Sequence, residues 1–392
     1  MVTAQFDTLS NEELRNVVGK KWSTYPDCIG AFVAEMDFGT APEIQQALRE
    51  VVDEGFFGYV RDADVESMRV ACANWYRTEY GWNIPVDRVR SLADVIMGLR
   101  AAITEFSPPG ARLIVPTPAY MPFLSVPVRL GREIIEVPMV VADGRWEFDF
   151  ESIDAAFAGS ASGGLLALCN PCNPVGRVFS REELLKLGGI VAKHGGRVFA
   201  DEIHAPLLYP GLHHIPYASI SETTASHTLT AVSASKAWNL AGLKSAQLIL
   251  SNDIDAERWR EAGFLIEHGA STIGVIANAA AYASGKPWLD DVIDYLDGNR
   301  GLLGDLLAEH LPRVGYIKPE GTYLAWLDFR DYPLPDDLAE FFRDEAKVAV
   351  VDGKACGAIG EGFVRFNIAM SSDTLHQAIR QMASAVNAAA SS

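Results

Sequence analysis

The sequence predicts an α/β protein with a mostly parallel sheet, because two kinds of segment alternate along the chain. From about residue 89 onward, short apolar runs are separated by amphipathic helical patterns. Short apolar runs bounded by turns are typical of buried parallel strands. A strand–helix–strand series of this kind predicts an open sheet with helices on both faces and right-handed crossovers.

The runs define six candidate strands and leave room for helices between them. They are LIVP at 113–116, EIIEVP at 133–138, LLALC at 165–169, RVFA at 197–200, TLTAVS at 228–233 and AQLIL at 246–250. The clearest helical pattern is REELLKLGGIVAKHGG. Ser180 is a suitable N-cap and Glu183 follows three residues later, as in a capping box, while Gly195 and Gly196 predict the end of this helix.

A second, smaller α+β domain is predicted from the change of texture after about residue 285. A long helical stretch, LDDVIDYLDGNRGLLGDLLAEHL, is followed by a strand-like TYLAWLDF, a helix near 335–346, the strand EGFVRFNIA and a terminal helix. We expect residues 285–392 and 1–45 to form this domain, and residues 46–284 to form the large domain.

The composition limits the possible partners. The 392 residues are 49% hydrophobic, enough for a large core, and 33 Lys and Arg stand against 51 Asp and Glu, a formal net charge of −18. Such a surface repels nucleic acid and anionic membranes, so the expected ligand is small. No signal peptide pattern opens the sequence and no apolar run reaches the length of a membrane span. These features favour a soluble, cytoplasmic protein.

Polar residues follow four of the predicted strands, at the edge where open α/β sheets bind ligands. TPAYMPF follows LIVP, NPCNPVGR follows LLALC, DEIH follows RVFA, and ASKAWNLAGLK follows TLTAVS. These segments bring Tyr120, Asn173, Asp201 and Lys236 to one edge. Each could be structural on its own: a packing ring, a turn, a helix cap or a lysine that reaches outward to solvent.

Asp201 and Lys236 carry the strongest chemical information. A carboxylate at the end of a buried strand needs a partner that offsets its desolvation. A lysine near a desolvated crevice has a lowered pKa and can act as an amine nucleophile or base. A stacking ring, an acid for a cationic ring nitrogen and an amine for an aldehyde are together what pyridoxal phosphate (PLP) requires.

The same segments resemble a known family. NPxNPxG, DE, SxSK followed by GLK, and RFNIA occur in the order found in fold-type I PLP enzymes of the aminotransferase class I/II superfamily, and they cover most of the chain. More narrowly, KKW at 20–22, AEMDF at 34–38, TPAY, DEIH, HHIPYASIS and SKAWNLAGLKSA resemble the MalY/PatB group of cystathionine β-lyases, or C–S lyases. Where this chain has His204, ordinary aminotransferases usually carry Tyr.

The resemblance implies the following roles at the centre of the site. Lys236 would bond to the cofactor aldehyde and later move the Cα proton. Asp201 would face the pyridinium nitrogen, which should hold its carboxyl ionised at a lowered pKa. Tyr120 would stack on the ring, Asn173 would contact the ring hydroxyl oxygen and the substrate carboxylate, and Arg365 would grip that carboxylate in a planar fork.

The resemblance also implies a phosphate site. Ser233 and Lys244 match the hydroxyl and the cation of the family, and the backbone amides of Val95 and Ile96 open a helix whose N-terminus can bind an anion. Related chains usually have a small residue where this chain has Asp94. An acid so close to the phosphate would repel it. Asp94 could instead cap the helix.

Four further residues complete the implied site. Tyr59 in FFGYV matches the tyrosine that reaches the phosphate of the neighbouring subunit, which predicts a homodimer. His204 is expected at the cofactor. Ala34 and Glu35 in AEMDF are expected at the substrate mouth.

A CxxC pair, Cys169 and Cys172, suggests two other kinds of site. A structural zinc site needs four ligands, and although His204, His213 and His214 are available, neither a second CxxC nor an HxxxH occurs. A redox pair would use a helix N-terminus, which the NPVG turn postpones to about residue 180. We therefore expect no metal and no redox centre here.

The expected activity is α,β-elimination from cystathionine or another L-cysteine S-conjugate, giving a thiol, pyruvate and ammonia. The alternative is PLP-dependent transamination between an amino acid and a 2-oxo acid, which uses the same residues; DEIH and AEMDF favour the lyase. A non-catalytic binding protein on this fold is disfavoured because Lys236 is present.

Overall fold

The computed structural model describes residues 6–17, 19–55, 57–160 and 163–390, so residues 1–5, 18, 391 and 392 of the predicted small domain and 56, 161 and 162 of the predicted large domain lie outside it. Within these ranges the α-helices are α1 Asn11–Asn16, α2 Lys20–Ser23, α3 Pro42–Glu54, α4 Asp62–Tyr80, α5 Val95–Thr104, α6 Met121–Arg129, α7 Phe150–Ala158, α8 Arg181–Lys193, α9 Glu222–Ser226, α10 Asp253–Glu267, α11 Thr272–Ser284, α12 Lys286–His310, α13 Leu338–Glu345 and α14 Ser372–Ala390. The strands are β1 Ile29–Gly30, β2 Val89–Leu92, β3 Leu113–Thr117, β4 Ile134–Pro138, β5 Val140–Ala142, β6 Arg145–Glu147, β7 Leu165–Cys169, β8 Arg197–Asp201, β9 Thr228–Val232, β10 Ala246–Leu250, β11 Gly315–Tyr316, β12 Leu324–Asp328, β13 Val348–Ala349, β14 Val351–Asp352 and β15 Phe363–Asn367.

The centre of the molecule is a seven-stranded sheet in the order β2-β10-β9-β8-β7-β3-β4. Five of the six predicted strands run parallel to one another, which confirms the α/β class. The prediction of a parallel strand was wrong for β10, which is antiparallel to both β9 and β2. A parallel return needs a crossover, usually a helix, and the 233–245 connection contains no α-helix.

Burial of the strands explains why periodicity alone could not distinguish a parallel strand from an antiparallel one. Every residue of β3, β7, β9 and β10 is buried. A strand covered on both faces has an unbroken apolar run whichever way it points. Helix α8 begins as predicted, with a capping box between Ser180 and Glu183.

A four-stranded antiparallel sheet, β11-β12-β15-β14, lies within residues 315–367. The N-terminal segment joins this part of the chain, because β1 pairs with β13 through Ile29↔Val348 and Gly30↔Ala349. The division of the chain into a small and a large domain, with its boundaries, stays a prediction. No helix within the described residues is long and apolar enough to cross a lipid bilayer.

Candidate active site

A cavity of about 410 Å³ lies beyond the carboxyl ends of the central strands. The sheet register places Cys169 beside Asp201 and Asp201 beside Ala231, so the segments after β7, β8 and β9 meet at one point. Ten of the predicted site residues line the cavity: Ala34, Val95, Ile96, Tyr120, Asn173, Asp201, His204, Lys236, Lys244 and Arg365. Three predicted residues, Glu35, Tyr59 and Ser233, are not part of its lining.

Asp201 ends β8 and is 3% exposed. One carboxylate oxygen accepts a hydrogen bond of 3.1 Å from the backbone N–H of Ile203, and no described basic side chain forms an ion pair with it. Burial raises the pKa of Asp201 to about 7, although the Ile203 N–H and the Lys236 charge oppose the rise. The lowered pKa expected from the sequence therefore requires a cation that the described protein groups do not supply.

Lys236 follows β9 in a turn, and its Nζ donates a 3.0 Å hydrogen bond to the carbonyl oxygen of Ala34. The hydroxyl of Tyr323 donates to the same oxygen over 2.9 Å. Burial and the charge of Arg365 lower the pKa of Lys236 to about 8, against the opposing charges of Glu35 and Asp201. A lowered pKa makes the neutral, nucleophilic amine accessible near neutral pH.

Arg365 lies in the middle of β15, opposite Trp326 and Val351, and is 3% exposed. One terminal nitrogen donates to Asn173 Oδ1 over 3.2 Å and the other donates to the carbonyl oxygen of Phe32 over 2.7 Å. Its Nε is buried without a partner among the described residues. Arg365 of β15 and Asn173 of the turn after β7 thus lie together in the lining of the cavity.

The turn that carries Asn173 is fixed by its own backbone. Cys172 N–H donates to Arg177 O over 2.8 Å, and Gly176 N–H donates to Cys172 O over 2.7 Å. Gly176 has a φ of 69°, and a Cβ there would lie 2.3 Å from Pro319 Cβ. Glycine is required at this position because the turn packs directly against the 319–321 segment.

Helix α5 and the 233–245 connection form the opposite end of the cavity. Asp94 caps α5 through a 3.0 Å bond from Met97 N–H, and its second oxygen pairs with Lys244 Nζ at 3.0 Å. Asp94, which departs from the family pattern, thus pairs with Lys244, the lysine expected to bind the phosphate. The N–H groups of Val95 and Ile96 open the helix at the cavity.

The serines of this end differ from the expectation. Ser233 is buried behind the lining, where its hydroxyl donates to Ser245 O over 2.7 Å and accepts from Ser235 N–H over 3.0 Å. Ser235 and Ser245 line the cavity instead. Neither serine is among the predicted site residues, although SASK and LKS place a serine beside each of the two lysines.

His204 and Tyr120 flank the central part of the cavity. Burial, together with the charges of Lys236 and Arg365, lowers the pKa of His204 to about 3, so its ring is neutral. Its Nδ1 is buried and has no partner among the described residues. Burial raises the pKa of the Tyr120 hydroxyl to about 12. Both side chains therefore offer neutral polar groups to a ligand.

The KKW and AEMDF segments bind each other. Lys21 Nζ pairs with Asp37 at 2.9 Å and donates to Ala369 O over 2.7 Å, while Trp22 Nε1 donates to the other oxygen of Asp37 over 2.8 Å. The carboxylate of Glu35 accepts the backbone N–H of Lys21 at 3.2 Å. AEMDF therefore holds α2 in place, and of its two predicted contact residues Ala34 lines the cavity.

The CxxC thiols are enclosed in the protein. Cys169 and Cys172 are free and buried, and burial raises the pKa of Cys172 to about 12 and raises that of Cys169 further above its ordinary value. Cys169 Sγ lies 3.3 Å from the oxygen of Pro171. No group of three or more metal-binding side chains was found in the described part of the chain.

The lining fits pyridoxal phosphate at three separate points. Asp201 is a buried carboxylate that needs a cation, as a pyridinium nitrogen provides. The hydroxyl of Ser245 is buried and unpartnered among the described residues, and Ser245 lines the same cavity as the first residues of α5, where a phosphate is favoured. Nδ1 of His204 is available to the cofactor, and Nζ of Lys236 lies in the same cavity for the aldehyde.

Tyr59 lies apart from this cavity, and 84% of its surface is exposed. Its ring contacts His268 with 5.8 Å between centroids. The role of Tyr59 at a neighbouring subunit stays a prediction.

A mostly parallel sheet whose cavity is lined by a half-buried lysine, a buried aspartate with no ion pair among the described residues, and a buried arginine is the arrangement of a PLP-dependent enzyme. The chain belongs to the aminotransferase class I and II family, whose model matches residues 27–382. This membership confirms the family and the fold predicted from the sequence.

The relatives include proteins with stated activities. The chain is 39% identical to the cystathionine beta-lyase of Corynebacterium glutamicum over 95% of its own length and 98% of the relative. It is 35% identical to cystathionine beta-lyase PatB of Bacillus subtilis over 92% and 93% of the two chains. Among solved structures, cystalysin of Treponema denticola, which contains a pyridoxal 5'-phosphate cofactor, superimposes with a TM-score of 0.90 at 29% identity over 98% and 99% of the two chains.

Proposed function

We propose that the protein is a PLP-dependent carbon–sulfur lyase that performs α,β-elimination on cystathionine or another L-cysteine S-conjugate. The observation that carries the proposal is the cavity in which Lys236 and Arg365 meet, in a chain that matches cystathionine beta-lyases over nearly its whole length. The Cα–H and Cβ–S bonds break, the thiol leaves, and with water the remaining fragment becomes pyruvate and ammonia.

Arg365 and Asn173 would orient the substrate. The guanidinium offers a planar fork to the α-carboxylate, and Asn173 holds that fork through the 3.2 Å contact to Nη1. When bound, PLP supplies an electrophilic aldehyde and an electron-accepting ring. Lys236, with its pKa near 8, would take the Cα proton, a step for which a positioned base contributes roughly 10²- to 10⁴-fold in rate.

The remaining residues of the lining would hold the cofactor. Asp201 would pair with the ring nitrogen, Tyr120 would stack on the ring, Asn173 would contact the ring hydroxyl oxygen, and His204 would contact the cofactor. At the other end, the amides of Val95 and Ile96 and the Lys244 ammonium would bind phosphate. Ser233 would support this end through its bonds to Ser235 and Ser245.

Tyr59 would reach the phosphate of a neighbouring subunit, so the proposal includes a homodimer. Its exposed ring supports this arrangement. Glu35 would act near the substrate mouth by fixing α2. A cytoplasmic location and a division into residues 46–284 against 1–45 and 285–392 also belong to the proposal.

Incubation of the purified protein with L-cystathionine and no 2-oxo acid tests the activity. We expect pyruvate and thiol in equal amounts. Absence of both, with amino-group transfer once a 2-oxo acid is supplied, would identify a transaminase instead.

The Lys236→Ala variant is the matched control for the catalytic amine. It should lose the yellow colour of the lysine-bound cofactor and nearly all turnover. Retention of turnover would show that another group moves the Cα proton.

A further inference from the structure

One basic side chain of the cavity has no task in the proposed reaction. Four basic residues line it within the described part of the chain: Lys20, Lys236, Lys244 and Arg365. Lys244 pairs with Asp94, while Lys236 and Arg365 serve the cofactor and the α-carboxylate. Lys20 is exposed, and none of the described carboxylates forms an ion pair with it.

The backbone of Lys20 is held in place, although its ammonium group has no partner among the described residues. It is the first residue of α2, and its neighbour Lys21 is 2% exposed and tied to Asp37 and to Ala369 O. The Lys21 N–H is also held by Glu35. A short helix with these anchors keeps the Lys20 stem at the exposed rim of the cavity, and its ammonium group can reach outward to solvent.

Lys20 lines the cavity next to the 32–35 segment, because the following residue, Lys21, donates its backbone N–H to Glu35. The lining segment 32–34 connects it to the site, because Phe32 O accepts from Arg365 and Ala34 O accepts from Lys236. The phosphate end, with Lys244 and the first turn of α5, is formed by other elements. A substrate whose α-carboxylate faces Arg365 would direct its sulfur substituent toward the mouth.

We propose that Lys20 is a specificity residue that favours S-substituents ending in a carboxylate over neutral ones of the same shape. This inference rests on the proposed lyase function of the same cavity. The attraction acts at an exposed site, where an ion pair contributes up to about 1 kcal/mol, or about fivefold in affinity. It acts mainly on binding, because the substituent does not take part in proton transfer.

A pair of isosteric substrates tests the proposal with the holoenzyme. S-(2-carboxyethyl)-L-cysteine and its amide, S-(2-carbamoylethyl)-L-cysteine, differ only in terminal charge. For both, kcat and KM are measured from thiol release, and Kd from the change in cofactor absorbance on binding. We expect the wild type to prefer the acid by about fivefold in kcat/KM and in Kd, with the preference weakening at high salt.

In the Lys20→Met variant, the ratio of kcat/KM for the acid to that for the amide should approach one, mainly through a change in KM. Lys20→Arg should retain most of the wild-type ratio. Lys318→Met, at an exposed lysine outside the cavity, serves as the matched control and should keep the wild-type preference. Thiol release with a preference that Lys20→Met leaves intact would overturn the inference alone. A charge preference in Kd that depends on Lys20, without thiol release, would overturn the lyase function and support the inference. Failure of both compounds to bind would overturn both.

Discussion

Replacing Asp201 with asparagine should make the cofactor-free protein more stable at high pH. Asp201 is enclosed in the protein, and burial raises its pKa from the ordinary 3.8 to about 7. The unfolded chain ionises this carboxyl near pH 4, whereas the folded chain holds the proton until about pH 7. Stability therefore falls as pH rises between these values, and the loss is complete above pH 7.

The pKa difference sets the size of the effect. A rise from 3.8 to about 7 corresponds to about 4 kcal/mol of lost stability above pH 7. Part of it is already present at pH 5, so the advantage of Asp201→Asn over the wild type should grow by about 3 kcal/mol between pH 5 and pH 8. Asparagine can keep the bond from Ile203 N–H without carrying a charge.

Urea unfolding of the cofactor-free proteins, followed by tryptophan fluorescence, measures this difference at each pH. The cofactor should reverse it: a pyridinium cation beside Asp201 lowers its pKa, so PLP should stabilise the wild type more strongly at pH 8 than at pH 5, beyond any such trend in Asp201→Asn. If the difference in unfolding free energy between the two proteins does not change with pH, the raised pKa assigned to Asp201 is refuted.

Four other predictions concern the remaining parts of the site. Asn173→Ala removes a hydrogen-bond acceptor from the Arg365 guanidinium and should lower kcat/KM by about 10- to 100-fold, measured by thiol release. Cys172→Ala should leave kcat/KM unchanged, and the reverse pattern would show that the functional group of this turn is the Cys172 thiol. Cofactor incorporation into the cofactor-free protein, followed by absorbance, should accelerate with pH around a midpoint near 8, because only the neutral Lys236 amine attacks an aldehyde; a pH-independent rate would contradict this. Tyr323→Phe should cost about 1 kcal/mol in urea unfolding through loss of its bond to Ala34 O, and an unchanged midpoint would show that the bond contributes nothing. Tyr59→Phe should weaken PLP retention on dialysis while sedimentation shows a dimer for both proteins; a monomeric wild type would remove the proposed role of Tyr59.

The sequence alone determined which polar residues stand at the ends of the strands. In a parallel sheet, every carboxyl end lies at the same edge, so the order Tyr120, Asn173, Asp201, Lys236 was sufficient to predict one cavity. The capping box of α8 was equally accessible because its two side chains act within a single turn. Local chemistry and strand order need no knowledge of distant contacts.

The tertiary structure decided what depends on residues far apart in the chain. The direction of β10, the ion pair between Asp94 and Lys244, and the binding of the KKW segment by Asp37 all join segments whose proximity no local pattern encodes. Packing also decided which serines face the cavity. Ser235 and Ser245 line it, whereas the predicted Ser233 does not.

The state of the titratable groups also came only from the folded chain. The sequence places an acid at the end of a strand, but its pKa depends on how much water and how much opposite charge surround it. For Asp201 burial dominates in the protein itself, and for Lys236 the nearby Arg365 adds to the effect of burial. Sequence determined the chemical groups of the site, and packing decided their charge, because desolvation is a property of the three-dimensional surroundings.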